Sequence, residues 1–140
     1  MCPAPGRDIL HAGHAAAARR DPPIGITNQA AGSRIRRGRL ATFIVVCTYR
    51  ARAGEEDAIV ALHEDWQRTL RSRARGYLSG ELLHSAQDLR AFIAIARYED
   101  ETSARAVAAD PEHIAWQCRL ASLMEVEPTC AGHVCVWQVS

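Results

Sequence analysis

The chain has 140 residues, a length that suits one domain and leaves no room for a second full core. A composition of 48% hydrophobic, 24% charged and 6% aromatic residues excludes a collagen, a disulfide scaffold, a coiled-coil rod and a wholly disordered protein. The net charge of +1 hides an asymmetry, because residues 1–40 carry seven Arg against Asp8 and Asp21, while residues 41–140 carry ten Arg against fourteen acids.

Residues 1–39 hold four of the six prolines, the run Ala15–Ala18, and the cluster Arg34, Arg36, Arg37 and Arg39. This composition reads as a disordered basic tail, kept out of the fold. It lacks the apolar core of a secretory signal, since Ile9-Leu10 is followed at once by His11, Gly13 and His14. A nucleic-acid arm is the sharper alternative, but no aromatics are interleaved with the arginines, so nucleic acid is not an expected partner. No apolar run approaches the roughly 18 residues of a membrane span, so no membrane partner is expected either. Five cysteines (Cys2, Cys47, Cys118, Cys130, Cys135) form an odd set without paired spacing. That favours a reducing, cytoplasmic setting. Cys130, His133 and Cys135 lie close together, but no second ligand pair is visible and no metal is expected.

The folded part spans residues 40–140. Ala41 to Tyr49 is rich in β-branched and aromatic residues and predicts a strand. Glu55-Glu56-Asp57 opens a helix with negative charge in its first turn, and Ile59, Leu62, Trp66 and Leu70 form one apolar stripe to about Arg73. Gly76 closes it. Tyr77–Ser85 and Arg90–Tyr98 read as a hairpin around Gln87-Asp88. Glu99–Ala109 predicts a short helix that Asp110-Pro111 ends, and Pro111 then opens a last helix to about Met124. Its inward face holds His113, Trp116, Leu120 and Leu123. His133–Val139 is the expected final strand. The order β-α-β-β-α-β, with its second helix broken in two, is ferredoxin-like α+β with a four-stranded antiparallel sheet. Three of its strands are apolar on both faces, whereas helices can cover only one. A second copy packed sheet to sheet would cover the other, which predicts a homodimer.

The stretches Phe43-Ile44-Val45-Val46, Arg52-Ala53-Gly54-Glu55-Glu56, Arg75-Gly76-Tyr77-Leu78, Ala96-Arg97-Tyr98-Glu99-Asp100-Glu101 and Ala109-Asp110-Pro111-Glu112-His113 resemble the antibiotic biosynthesis monooxygenase domain family, over roughly residues 41–139. The resemblance implies a dimeric α+β barrel with a hydrophobic pocket between the helices and the sheet of each subunit. It also implies a cofactor-independent monooxygenase, with a small hydrophobic aromatic substrate and O2 as its partners and no cofactor. An electron-rich phenolate or carbanion can reduce O2 itself, leaving the protein to promote deprotonation, hold the ring and exclude water. Where the polyketide oxidisers of the family carry an Asn, a Trp and a Tyr, this chain has Ala94, Tyr98 and about Ala104. Where a haem-degrading branch carries an Asn, a Trp and an axial His, it has Cys47, Ala106 or Val107, and the neighbourhood of Trp116.

His113 and Tyr98 are the candidate catalytic residues: His113 as base or donor beside Trp116, and Tyr98 as a positioning group at its strand end. His113 can equally be read as a helix-start hydrogen bonder. Trp66, Trp116, His63 and Tyr49 are the candidate substrate-binding residues, although the two Trp also fit plain core positions. Cys47 reads as an inert packed thiol. The expected function is oxygenation of a planar apolar phenol, quinol or polyketide-like substrate. The alternatives are a non-catalytic dimeric binding module of the same fold and a haem-binding or haem-degrading protein.

Overall fold

A computed structural model describes residues 42–139. The tail expected over residues 1–39 lies outside the described residues. The elements are β1 (Phe43–Arg50), α1 (Glu56–Thr69), a 3-10 turn (Arg71–Arg73), β2 (Tyr77–His84), β3 (Ala91–Tyr98), α2 (Glu101–Ala108), α3 (Pro111–Ser122) and β4 (Thr129–Val134). The sheet is antiparallel throughout, in the order β2-β3-β1-β4. This is the ferredoxin-like α+β fold expected from the sequence.

Alternation along β1 and β3 sets the two faces of the sheet. Phe43, Tyr49, Phe92 and Tyr98 turn to one side, where they join Ile59, Trp66, Trp116 and Leu120 from the helices, and Met124 just past α3, in one buried cluster. Ile44, Val46, Ile93 and Ile95 turn to the other. No described element of the chain lies over that side, and Ile93 and Leu83 are 41% and 45% exposed.

The helix ends follow local chemistry. Gly54 supplies a φ of +89° ahead of α1, whose first turn holds Glu56 and Asp57. The stripe expected to run to Arg73 leaves α-geometry after Thr69 and tightens into the 3-10 turn, where the Arg73 and Ala74 N–H groups donate to the Leu70 and Arg71 carbonyls. Asp100 caps α2 by accepting from the Ser103 N–H at 2.8 Å. Asp110 caps α3 by accepting from the Glu112 N–H at 3.0 Å, with Pro111 in the first turn. Gly76 has φ +84°, and a Cβ there would meet the Ser103 hydroxyl at 2.2 Å.

Two sequence expectations are corrected here. The final strand is Thr129–Val134 and not His133–Val139. Val134 already pairs with Phe43, the first residue of β1, and the Cys135 N–H reaches the Thr42 carbonyl. Beyond that point the chain has run past its neighbour. Val136, Trp137 and Val139 are accordingly 91%, 77% and 72% exposed. Nor do all the cysteines stay reduced, because Cys47 and Cys130, directly opposed on β1 and β4, form a disulfide. Among the described residues no helix is long and apolar enough to cross a membrane, and no cluster of three or more His, Cys, Asp or Glu is placed to hold a metal ion.

Candidate active site

Between α1, α3 and the inner face of the sheet lies a cavity of about 300 Å³. Its floor is every second residue of β1 (Val45, Cys47, Tyr49) and of β3 (Ala94, Ala96, Tyr98). Small Ala side chains in the middle of β3 leave the space that the larger rings around it enclose. The roof comes from helical spacing: His63, Trp66 and Gln67 on α1, and His113, Trp116 and Gln117 on α3. All six residues singled out in the sequence therefore line one cavity: Tyr49, His63, Trp66, Tyr98, His113 and Trp116.

Hydrogen bonds fix the orientation of most of these rings. The Trp66 indole N–H donates to His113 Nδ1 at 3.0 Å, and the Trp116 indole N–H donates to the Leu62 carbonyl at 2.8 Å. His63 Nδ1 lies 2.9 Å from the Ile59 carbonyl, which can only accept, so Nδ1 carries the proton and Nε2 is the acceptor. The Tyr49 hydroxyl, 3.3 Å away, then donates to Nε2. The same logic makes His113 Nδ1 an acceptor, so the neutral ring carries its proton on Nε2. Neither His113 Nε2 nor the Tyr98 hydroxyl has a hydrogen-bond partner among the described residues.

Ring packing completes the box. His113 stacks on Trp116 with centroids 5.6 Å apart and planes at 26°. Trp66 meets Tyr77 edge-on at 4.9 Å, Tyr77 meets Tyr98 at 5.7 Å, and His63 meets Trp116 at 5.0 Å.

Burial dominates the electrostatics. It lowers the His113 pKa to about 4, against a weaker opposing pull from Asp110. It lowers that of His63 as well, the bond to Ile59 opposing. Burial raises the Tyr49 and Tyr98 hydroxyls far above their usual value, each raised further by a neighbouring Tyr. At neutral pH these four groups are therefore uncharged, and with the two Trp they form an aromatic chamber with a few directed polar atoms; Glu64 and Glu81 are the acidic residues of its lining.

Among the lining residues that the sequence did not single out, three are instructive. Tyr77 and Gly80 share the inner face although they are three apart, because a bulge between Tyr77 and Ser79 shifts the alternation. A Cβ on Gly80 would lie 2.4 Å from the Tyr77 hydroxyl, so this Gly leaves room for the ring. Gln117 stands four residues after His113 on the same helical face, and its buried Oε1 has no hydrogen-bond partner among the described residues. That spacing was a usable signal.

With fold and cavity in place, the relatives can be set beside them. The chain matches the family model described as antibiotic biosynthesis monooxygenase over residues 42–119. It belongs to that family. A search of the curated proteins finds no significant match. Among solved structures it is similar to a mutant of SnoaB, a cofactor-independent oxygenase from Streptomyces nogalater, at 15% identity and TM-score 0.63, over 71% of this chain and 97% of that one. It is similar to the ActVA-Orf6 monooxygenase of Streptomyces coelicolor, solved with Nanaomycin D, at 20% identity and TM-score 0.63, over 71% and 92%. A conserved protein from Methanosarcina mazei Go1 matches at 12% identity and TM-score 0.60, over 67% and 92%. Likeness at these identities speaks to the shared fold of the family.

Proposed function

We propose that this antibiotic biosynthesis monooxygenase family member is a cofactor-independent monooxygenase of planar, largely apolar phenols or quinols. The observation that carries this reading is the aromatic cavity, whose uncharged His and Tyr groups, Trp walls and few directed polar atoms suit a flat ring bearing one or two oxygens. In such a reaction one atom of O2 enters the ring and the other leaves as water, and the substrate supplies all four electrons. A phenol of the 1-naphthol type would leave as the 1,4-quinone.

The protein's part is then to hold the ring, keep water away and stabilise negative charge on the substrate oxygen. His113 is the residue we place against that oxygen. Its Nδ1 is engaged by Trp66 and burial opposes its protonation, so it serves better as a neutral Nε2–H donor than as the base. Tyr98 is a positioning group whose hydroxyl is unengaged, and Trp66 and Trp116 are the walls. The Tyr49–His63 pair is the proton acceptor closest in chemistry to a base, because His63 Nε2 can take a proton along the Tyr49 hydroxyl. We place a second copy of the chain over the open apolar face of the sheet. The exposed Leu83 and Ile93 and the uncovered Val136-Trp137 segment support that placement.

Oxygen uptake with 1-naphthol and related dihydroxynaphthalenes tests the activity, using labelled O2 to follow one atom into the product. Tight binding of these compounds without oxygen consumption above the uncatalysed rate would overturn it. Sedimentation at micromolar concentration should show about twice the chain mass of 15.4 kDa; a clean monomer would overturn the dimer.

A further inference from the structure

The disulfide in the cavity wall plays no part in the reaction just described. Cys47 lies between Val45 and Tyr49 on the inner side of β1 and lines the cavity, opposite Cys130 on β4. The register explains why the two sulfurs meet. The Cys135 N–H donates to the Thr42 carbonyl, which makes 42 and 135 a hydrogen-bonded pair. By alternation the pair 47 and 130 is non-hydrogen-bonded, the kind in which side chains approach most closely. Both cysteines are only partly buried, so a reductant can reach them.

In the disulfide neither sulfur carries a proton or acts as a nucleophile. Reduction would leave a thiol in the wall of a chamber shaped for flat aromatic rings. Quinones are soft electrophiles that thiolates attack. The sulfur forms a bond to a ring carbon and the thiol proton ends on one quinone oxygen; the hydrogen on the attacked carbon then moves as a proton to the other oxygen, and the product is an S-aryl quinol. Atoms and electrons balance with no further oxidant.

We propose that Cys47 is a covalent-modification site for quinoid electrophiles inside the cavity, kept closed by its disulfide with Cys130. The inference rests on the reading that the cavity admits planar quinols and quinones. It assigns the disulfide a protective role, because an enzyme that makes quinones would otherwise arylate its own wall.

The test uses the full-length protein, treated anaerobically with 1,4-naphthoquinone and mapped by peptide mass spectrometry. Cys135 is free and lies outside the cavity lining, so it is an internal reference. In the native protein the adduct should form at Cys135 and not at Cys47. In Cys130→Ala, Cys47 should be labelled as well. 1-Methoxynaphthalene at about ten times its dissociation constant should slow that labelling about tenfold and leave Cys135 unaffected. Native protein reduced with a phosphine and desalted gives the same readout without a substitution, which covers a variant that fails to fold. Absence of the Cys47 adduct in both preparations would overturn the proposal, as would labelling indifferent to 1-methoxynaphthalene. Protected labelling without oxygen uptake from 1-naphthol would sink the oxygenase reading and leave this one standing. Oxygen uptake without labelling would do the reverse.

Discussion

Replacing His113 with Gln tests the uncharged state of its ring directly. The amide keeps an oxygen that can accept from the Trp66 indole but removes the titrating ring. His113 falls from its ordinary value of 6.5 to about 4, chiefly through burial. The folded protein thus binds this proton more weakly than the unfolded chain does. The stability that follows is complete above the unfolded value and is lost as pH falls from 6.5 towards 4. Across the whole window the loss is about 3 kcal/mol, and by pH 5 it is about 2 kcal/mol relative to pH 7.5. The depressed carboxylates Asp88, Asp100 and Asp110 titrate at lower pH, outside this interval. His63 is also lowered and contributes with the same sign, but it is common to both proteins and cancels in the difference. Urea unfolding followed by Trp fluorescence, at fixed protein concentration, should give wild-type stability that drops between pH 7.5 and 5. The drop in His113→Gln should be smaller by about 2 kcal/mol. Equal drops in the two proteins, or an NMR titration placing His113 above pH 6, would refute a neutral buried ring.

Gly76→Ala should cost about 1–3 kcal/mol in a thermal or urea melt, since φ is +84° and the new methyl would meet the Ser103 hydroxyl. Trp116→Phe keeps a flat wall but loses the indole bond to the Leu62 carbonyl, so naphthol binding measured by calorimetry should weaken about tenfold. A chain starting near Arg39 should keep its melting temperature, and a large drop would show that the tail packs against the domain.

Much of the fold was legible because its strongest signals are periodic. The Phe43–Tyr49 alternation and the Ile59–Leu62–Trp66 and His113–Trp116–Leu120 stripes each name a face without reference to anything distant. The cavity residues on those faces came with them. What was illegible depended on pairing. β4 ends early because its neighbour begins at Phe43, a limit that the apolar run from Val134 to Val139 cannot reveal. Cys47 and Cys130 are 83 residues apart, and only the antiparallel register opposes them. Counting five cysteines as one set hid a bonded pair. Tyr77 was missed for a similar reason. Counting by twos back from Leu82 points Leu78 inward, whereas the bulge leaves Leu78 43% exposed and turns Tyr77 to the cavity.

That bulge also bears on what the sheet can join. β2 is an outer strand, and a regular outer strand offers evenly spaced N–H and C=O groups to any extended chain. The extra residue at Leu78 breaks that spacing near one end of the ladder, and the Glu81–Arg97 ion pair sets charges beside it. A β-sheet with an uncovered apolar face and two clean edges would invite both stacking and lengthening, the two directions in which fibrils grow. Here lengthening at the β2 side is obstructed by the backbone itself, which leaves the apolar face as the side where the proposed second copy would dock.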